Sequence, residues 1–198
     1  VGCGHGEFAL RWSEVAEQVV GIDAASEYNR LEMGDLPGNV SFVTANTKEA
    51  LPFSNGAFDV VYNRRGPTSA YLDVKRVLAP GGRLLSIHPG DVEANELAEI
   101  FPEWCGSPPA PGTPILDVLK QRLQQGGFEH TEIETVTSVA YLHAPIDVLQ
   151  MILFGQTPAL IEELKSRDLC EITRRFERHA TEAGLATTFV RYLVRATV

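Results

Sequence analysis

A doubly wound α/β fold is the expectation for this chain of 198 residues, with a mainly parallel sheet, helices on both faces and an antiparallel final strand. Three observations predict it. Short apolar runs at 19–22, 40–45, 58–63 and 82–88 alternate with helix-spaced segments, the pattern of a parallel sheet covered by helices. A glycine loop (Gly2, Gly4, Gly6) opens directly onto a helix pattern. Polar residues stand at the carboxyl ends of the apolar runs, where open α/β sheets bind ligands.

The elements follow in order. Phe8, Ala9, Leu10, Trp12, Val15 and Ala16 have helical spacing. Val19 to Ile22 is a short buried strand closed by Asp23, and Ser26 to Met33 predicts a brief helix stopped by Gly34, Pro37 and Gly38. Val40 to Ala45 is a strand followed by Asn46 and Thr47. Leu51 to Gly56 is a turn-rich connection to a strand over Phe58 to Asn63. A helix over Ser69 to Leu78 ends at Pro80-Gly81-Gly82, and a strand runs from Gly82 to His88. Glu93 to Pro114 carries five prolines with Phe101 and Trp104 among them; it predicts a stiff loop beside the pocket, or a surface excursion anchored by its aromatic rings. Ile115 to Gln125 is a helix capped by Gly126-Gly127. His130 to Tyr141 reads as a strand, Pro145 to Phe154 and Ala159 to Ala183 as helices, and Phe189 to Ala196 as the last strand. The expected organisation is one domain over 1–198, with a Pro-rich loop at 93–114 and a helical insertion at 145–184.

Composition narrows the function. The formal net charge is -9, which repels phosphate backbones unless a basic patch overcomes it, and so counts against nucleic acid as substrate. Cys3, Cys105 and Cys170 form neither a zinc pattern nor a disulfide framework, which fits a reducing cytoplasm. No apolar run spans a bilayer, no signal peptide is visible and no His/Asp/Glu cluster suggests a metal. Only Val1 stands before the first glycine, where a buried strand normally supplies several apolar residues. The expectation is a chain lacking its natural N-terminus, with most of a first strand and a preceding helix missing.

The glycine loop carries the chemistry. Glycine at every second position permits tight turns and close approach of backbone to ligand. The helix behind it points unpaired N–H groups at that ligand. Asp23, closing the next strand, is placed to accept hydrogen bonds from a ribose diol. These features describe a pocket for a nucleoside-containing cofactor. The spacing G-x-G-x-G departs from the dinucleotide fingerprint G-x-G-x-x-G, and the Gly-Lys-Ser/Thr ending of a P-loop is absent.

Val1-Gly2-Cys3-Gly4-His5-Gly6 resembles motif I of the class I S-adenosylmethionine-dependent methyltransferases, a Rossmann-like superfamily, and the chain looks like its type 11 branch. The resemblance continues through Leu51-Pro52-Phe53, Phe58-Asp59-Val60-Val61, Lys75 to Leu84 with its Pro80-Gly81-Gly82, and Gly127-Phe128. It implies S-adenosylmethionine as cofactor. Gly2, Cys3, Gly4, His5 and Gly6 would pass against its methionine and ribose parts, with Cys3 a small packed residue and His5 either touching the carboxylate or exposed. Asp23 would bind the ribose hydroxyls and Ala24 would lie against the adenine. Asn46, where many relatives have aspartate, would accept from the adenine amino group, and Thr47 would offer its backbone N–H to a ring nitrogen. Asn63 would lie near the methionine amine and the methyl group.

The acceptor side is less specific. Arg64 and Arg65 could clamp a carboxylate or phosphate, or pair with acids such as Asp91 and Glu93. His88, at a strand end, is a candidate base because imidazole titrates near neutrality, with packing or a backbone bond as the competing role. Tyr71 and His143 are weaker candidates. The leading expectation is methyl transfer to a small polar or anionic acceptor. The alternatives are an RNA methyltransferase, which requires a basic face, a non-catalytic S-adenosylmethionine-binding module, and a nicotinamide-linked dehydrogenase, disfavoured by the misplaced third glycine.

Overall fold

The computed structural model describes residues 1–25, 36–106, 111–153 and 157–198. The helix expected at 26–33, Pro108, Pro109 and Phe154 lie outside the described residues. In chain order the elements are α1 (Glu7–Trp12), β1 (Val19–Asp23), β2 (Val40–Thr44), β3 (Phe58–Arg64), α2 (Tyr71–Val77) after a 3-10 turn at Thr68–Ala70, β4 (Leu78–Glu93), α3 (Asn95–Ile100), α4 (Pro102–Cys105), α5 (Pro114–Gln125), β5 (His130–Leu142), α6 (Pro145–Ile152), α7 (Pro158–His179) and β6 (Leu185–Thr197). The alternation is the expected α/β pattern. Strands β1 and β2 pair in parallel, β3 and β4 pair in parallel, and the final strand is antiparallel. Among the described residues the strands form two groups, β1-β2 and β3-β4-β6-β5.

Contacts divide the chain into two compact units. The first comprises 1–88, 114–135 and 192–198. Its core follows the helical periodicities: Tyr71, Val74 and Val77 on α2 and Leu119 and Leu123 on α5 are almost wholly buried, with Leu78, Leu84 and Phe128. Helix α5 ends at Gly126-Gly127, as expected. A Cβ on Gly126 would stand 2.0 Å from the Tyr71 carbonyl oxygen, so this close crossing of helices requires glycine. The Leu51-Pro52-Phe53 turn is pinned by side chains. Arg76 donates to the carbonyls of Leu51 (2.8 Å) and Phe53 (2.7 Å) and to both Asp73 oxygens, and Asp73 accepts from the Leu51 N–H (2.8 Å).

The second unit comprises 89–113 and 136–191. Its core is a cluster of Leu97, Phe101, Val148, Leu149, Leu153, Ile172, Phe176 and Leu185, with Trp104 packed on it. The stretch expected as a loop at 93–114 therefore carries helices α3 and α4. Its aromatic residues act as anchors: Phe101 is fully buried, and Trp104 Nε1 donates to Asp168 (3.1 Å). Proline starts α4 because its fixed φ suits the first helical position and no N–H is needed there.

Other boundaries move for local reasons. Helix α1 ends at Trp12 rather than Ala16: Ser13 Oγ bonds the Leu10 carbonyl (2.6 Å), and Asn39 takes the carbonyls of Ser13 and Ala16 (2.9 Å each). Strand β4 extends beyond 82–88 in both directions. At its far end Gly90 lies so close to Val190 that a Cβ would be 2.5 Å from the valine side chain, so the strand passes this point only without one. Helix α7 stops at His179, where Ala180 is extended and a Thr181–Gly184 turn leads into β6 at Leu185 rather than Phe189.

Candidate active site

The glycine loop is stitched between the ends of β1 and β3. The Cys3 N–H donates to the Ile22 carbonyl (3.1 Å) and the Val1 nitrogen to the Tyr62 carbonyl (2.7 Å). Asp23 binds the loop directly: Oδ2 accepts from the Gly4 N–H (2.9 Å) and Oδ1 from the Ala25 N–H (3.1 Å). A carboxylate has lone-pair sites beyond these two. Gly2, Gly4 and Gly6 all have positive φ (63°, 50° and 80°), the region that favours glycine. Their surroundings differ. A Cβ on Gly2 would meet the Gly66 Cα at 2.7 Å and one on Gly6 the Phe42 ring at 2.5 Å, whereas nothing lies within 4 Å of the corresponding point on Gly4. Two glycines thus serve close packing, and the third faces open space.

Asn63 holds the facing turn. Fully buried, it accepts from the Gly66 N–H through Oδ1 (2.8 Å) and donates through Nδ2 to the Pro67 carbonyl (3.3 Å). Gly66 packs against Val1 as well, since a Cβ there would fall 2.6 Å from the Val1 carbonyl oxygen. Sequence reasoning passed over Gly66. The Gly66-Pro67 dipeptide marks a turn, but its close approach to the first glycine is a tertiary fact.

The remaining candidates take distinct places. Asn46 Oδ1 accepts from the Lys48 N–H (3.0 Å), an Asx turn at the end of β2. Thr47 is buried and shares a hydrogen bond with Ser69 Oγ (2.7 Å). His5 and Ala24 are exposed. Cys3 is partly buried, and burial raises its thiol pKa, which disfavours the thiolate. The guanidinium of Arg64 lies over the Phe8 ring, 4.1 Å from its centroid, so this side chain braces α1. Arg65 is exposed and has a left-handed backbone (φ 61°), with its N–H on the Ile87 carbonyl (2.9 Å).

His88 is buried, and its Nε2 is hydrogen-bonded to the Tyr71 hydroxyl. Burial lowers its pKa to about 4, so the imidazole is neutral at physiological pH. Burial pushes the Tyr71 hydroxyl pKa up, partly opposed by Ser86 and Asn63 beside it, and the phenol keeps its proton. This buried pair supports the ends of β3 and β4. Among the described residues no group of His, Cys, Asp or Glu could hold a metal ion, and no helix is long and apolar enough to cross a membrane.

This glycine loop, with an acid at the end of the following parallel strand, is the arrangement that carries the similarity to the class I S-adenosylmethionine-dependent methyltransferases. Residues 1–86 match the methyltransferase domain family. Over 142 residues the chain is 30% identical to a ubiquinone/menaquinone biosynthesis C-methyltransferase, UbiE, of Marinomonas sp. (strain MWYL1), covering 58% of this chain and 56% of that protein. The chain thus spans about half the length of this relative. A functionally unknown protein from Deinococcus radiodurans R1 superposes with TM-score 0.62 at 25% identity, over 98% of this chain and 76% of that one. A phosphoethanolamine N-methyltransferase 2 of Haemonchus contortus, solved with phosphomonomethylethanolamine and S-adenosylhomocysteine, matches in fold with TM-score 0.53 at 18% identity, over 98% of this chain and 47% of that one. The methyltransferase domain that residues 1–86 match implies the use of S-adenosylmethionine.

Proposed function

We propose that the protein transfers a methyl group from S-adenosylmethionine to a small polar or anionic acceptor. The observation that carries this reading is the Gly4–Asp23 arrangement. A backbone free of side-chain obstruction faces open space, and the carboxylate that fixes it retains acceptor sites for a ribose diol. The residues therefore fit the cofactor. Gly2, Cys3, Gly4, His5 and Gly6 would form one wall of its site, Asp23 and Ala24 a second, and Asn46 and Thr47 the adenine end. Asn63 would act by holding the Gly66 turn against the loop.

When bound, the cofactor supplies an activated methyl group on a sulfonium. The protein's part is to position the acceptor in line and exclude water. The Arg64–Arg65 pair at the end of β3 is the one we assign to an anionic acceptor oxygen. His88 supports the site through Tyr71 rather than taking a proton from the acceptor. The similarity to ubiquinone/menaquinone biosynthesis C-methyltransferases favours a carbon atom as the methyl acceptor.

Calorimetric titration with S-adenosylmethionine and S-adenosylhomocysteine tests the cofactor half; the expected result is saturable binding that Asp23→Asn weakens at least tenfold. Absence of binding at millimolar ligand refutes it. Radiolabelled methyl transfer to a panel of phenols, hydroquinones and small carboxylates tests the acceptor half. Cofactor binding without transfer to any of them would leave a binding module in place of an enzyme.

A further inference from the structure

Four polar side chains of the first unit are buried together where β3 ends and β4 runs on. Asn63 and Ser86 are register partners on the two strands, and the pairing stops one step later, at Arg64 with Ile87. His88 follows Ser86 by two residues and so shares its face of β4. Tyr71 reaches this face from α2: its hydroxyl is hydrogen-bonded to His88 Nε2, and Ser86 and Asn63 stand beside it. Tyr71 and Asn63 are fully buried, and His88 is only 4% exposed. The cluster is one turn away from the glycine loop, because the Gly66 turn that Asn63 holds packs on Gly2. Open α/β sheets bind ligands at such strand ends.

The surroundings fix which ring nitrogen of His88 carries the proton. A phenol is the better acid and a neutral imidazole the better base, so the stronger bond runs from the Tyr71 hydroxyl to Nε2. Ser86 and Asn63 both oppose the rise in the Tyr71 pKa, as groups that offer protons to the phenol oxygen do. The phenol proton is thereby left for His88. With Nε2 accepting and the imidazole neutral, the single ring proton sits on Nδ1. Nδ1 has no hydrogen-bond partner among the described residues. It is not sealed in either: among the described residues, Ser86 Oγ is the buried side-chain polar atom that is shut off without a partner. A donor set this deeply and left unpaired costs stability unless something accepts from it.

We propose that the Nδ1–H of His88 donates a hydrogen bond to an oxygen of the methyl acceptor beside its reacting atom, and that Tyr71 is the positioning residue that holds the ring in this tautomer. The inference rests on the methyl-transfer reading, since the oxygen it meets is the acceptor's. A nucleophile gives up negative charge as it takes a methyl group from a sulfonium. A cation beside the reacting atom would hold that charge back, whereas a neutral N–H orients the oxygen at less cost to the transition state. Its role thus complements the Arg64–Arg65 pair, whose charge suits an anionic group. No proton changes hands: the N–H bond is intact before and after transfer. Acceptor analogues without the oxygen are rejected, because they leave the buried donor unpaired.

The test is nitrogen-15 NMR of the His88 ring in the full chain, with calorimetry of hydroquinone binding to the protein saturated with S-adenosylhomocysteine. The free protein should show a protonated Nδ1 and a bare Nε2, and Tyr71→Phe should populate both tautomers. The reverse tautomer in the wild type, or no change in Tyr71→Phe, overturns the proposal. Hydroquinone should shift the Hδ1 resonance, and benzene should not; an unmoved Hδ1 overturns it. Two substitutions separate contact with the acceptor from mere support. His88→Asn places an amide N–H at the Nδ1 position, whereas His88→Gln places its amide at the Nε2 position, opposite Tyr71. Hydroquinone should bind about fivefold or more weakly to the Gln variant than to the Asn variant, with S-adenosylhomocysteine affinity equal in the two. The opposite order marks a purely structural histidine and overturns the proposal. Wild-type protein that fails to bind S-adenosylmethionine removes the methyl-transfer reading and this inference with it; a wrong tautomer in protein that binds the cofactor removes this inference alone.

Discussion

The buried His88 makes stability depend on pH in a calculable way. Its pKa falls from 6.5 in the unfolded chain to about 4 in the folded one, because burial disfavours the imidazolium. Between these values the unfolded chain binds the proton and the native chain does not. Stability therefore rises with pH across this window. The contribution is fully present above 6.5 and is lost as pH falls toward 4. Such a difference corresponds to about 3 kcal/mol. Urea unfolding at pH 7.5, 5.5 and 4.2 measures it, and His88→Gln provides the reference because it keeps a polar group opposite Tyr71 without titrating. Many carboxylates also titrate toward the acid end, so the quantity of interest is the wild-type loss minus the loss in His88→Gln. The expected difference is about 2–3 kcal/mol, the wild type losing more. Equal losses in both proteins would refute the reasoning and place His88 in contact with water.

Three further outcomes follow from the geometry. Asn63→Ala leaves the Gly66 N–H without its side-chain acceptor in a buried turn and should cost about 1–3 kcal/mol, read by chemical denaturation, with weaker S-adenosylmethionine binding by calorimetry. Gly6→Ala drives a Cβ into Phe42 at a positive φ and should destabilise the fold markedly, whereas Gly4→Ala meets no atom within 4 Å and should change stability by only about 1 kcal/mol while lowering cofactor affinity. Comparable stability losses in the two variants would count against the assignment of Gly4 to the ligand side. Phe101→Ala empties a fully buried site in the second unit and should cost about 3–5 kcal/mol, measured by urea unfolding.

The sequence was most legible where periodicity and turn chemistry agree. Strands β1 to β3 and helix α5 fall within a residue or two of the expected positions, because each is a compact apolar pattern bounded by Asp, Asn or Gly. Boundaries failed where a side chain intervened from a distance. Asn39 takes the carbonyls after α1, and Gly90 lets β4 pass Val190. In 93–114, proline content suggested a loop, but burial of Phe101 supports short helices on either side of it.

The same division runs through the site. The glycine spacing and Asp23 were visible in the chain, because backbone conformations that exclude side chains leave a compositional mark. The partners of those residues were not. That Asp23 binds Gly4, that Asn63 clamps Gly66 against Gly2, and that His88 bonds Tyr71 depend on which strand ends meet, at separations of up to 64 residues. Sequence by itself determined the kind of fold and the place of the glycine loop, since both are written in local periodicity and in glycine. Only the tertiary structure decided which polar groups are hydrogen-bonded in support of the loop and which strand ends lie beside it. Those are properties of packing, and packing brings together residues that the chain keeps apart.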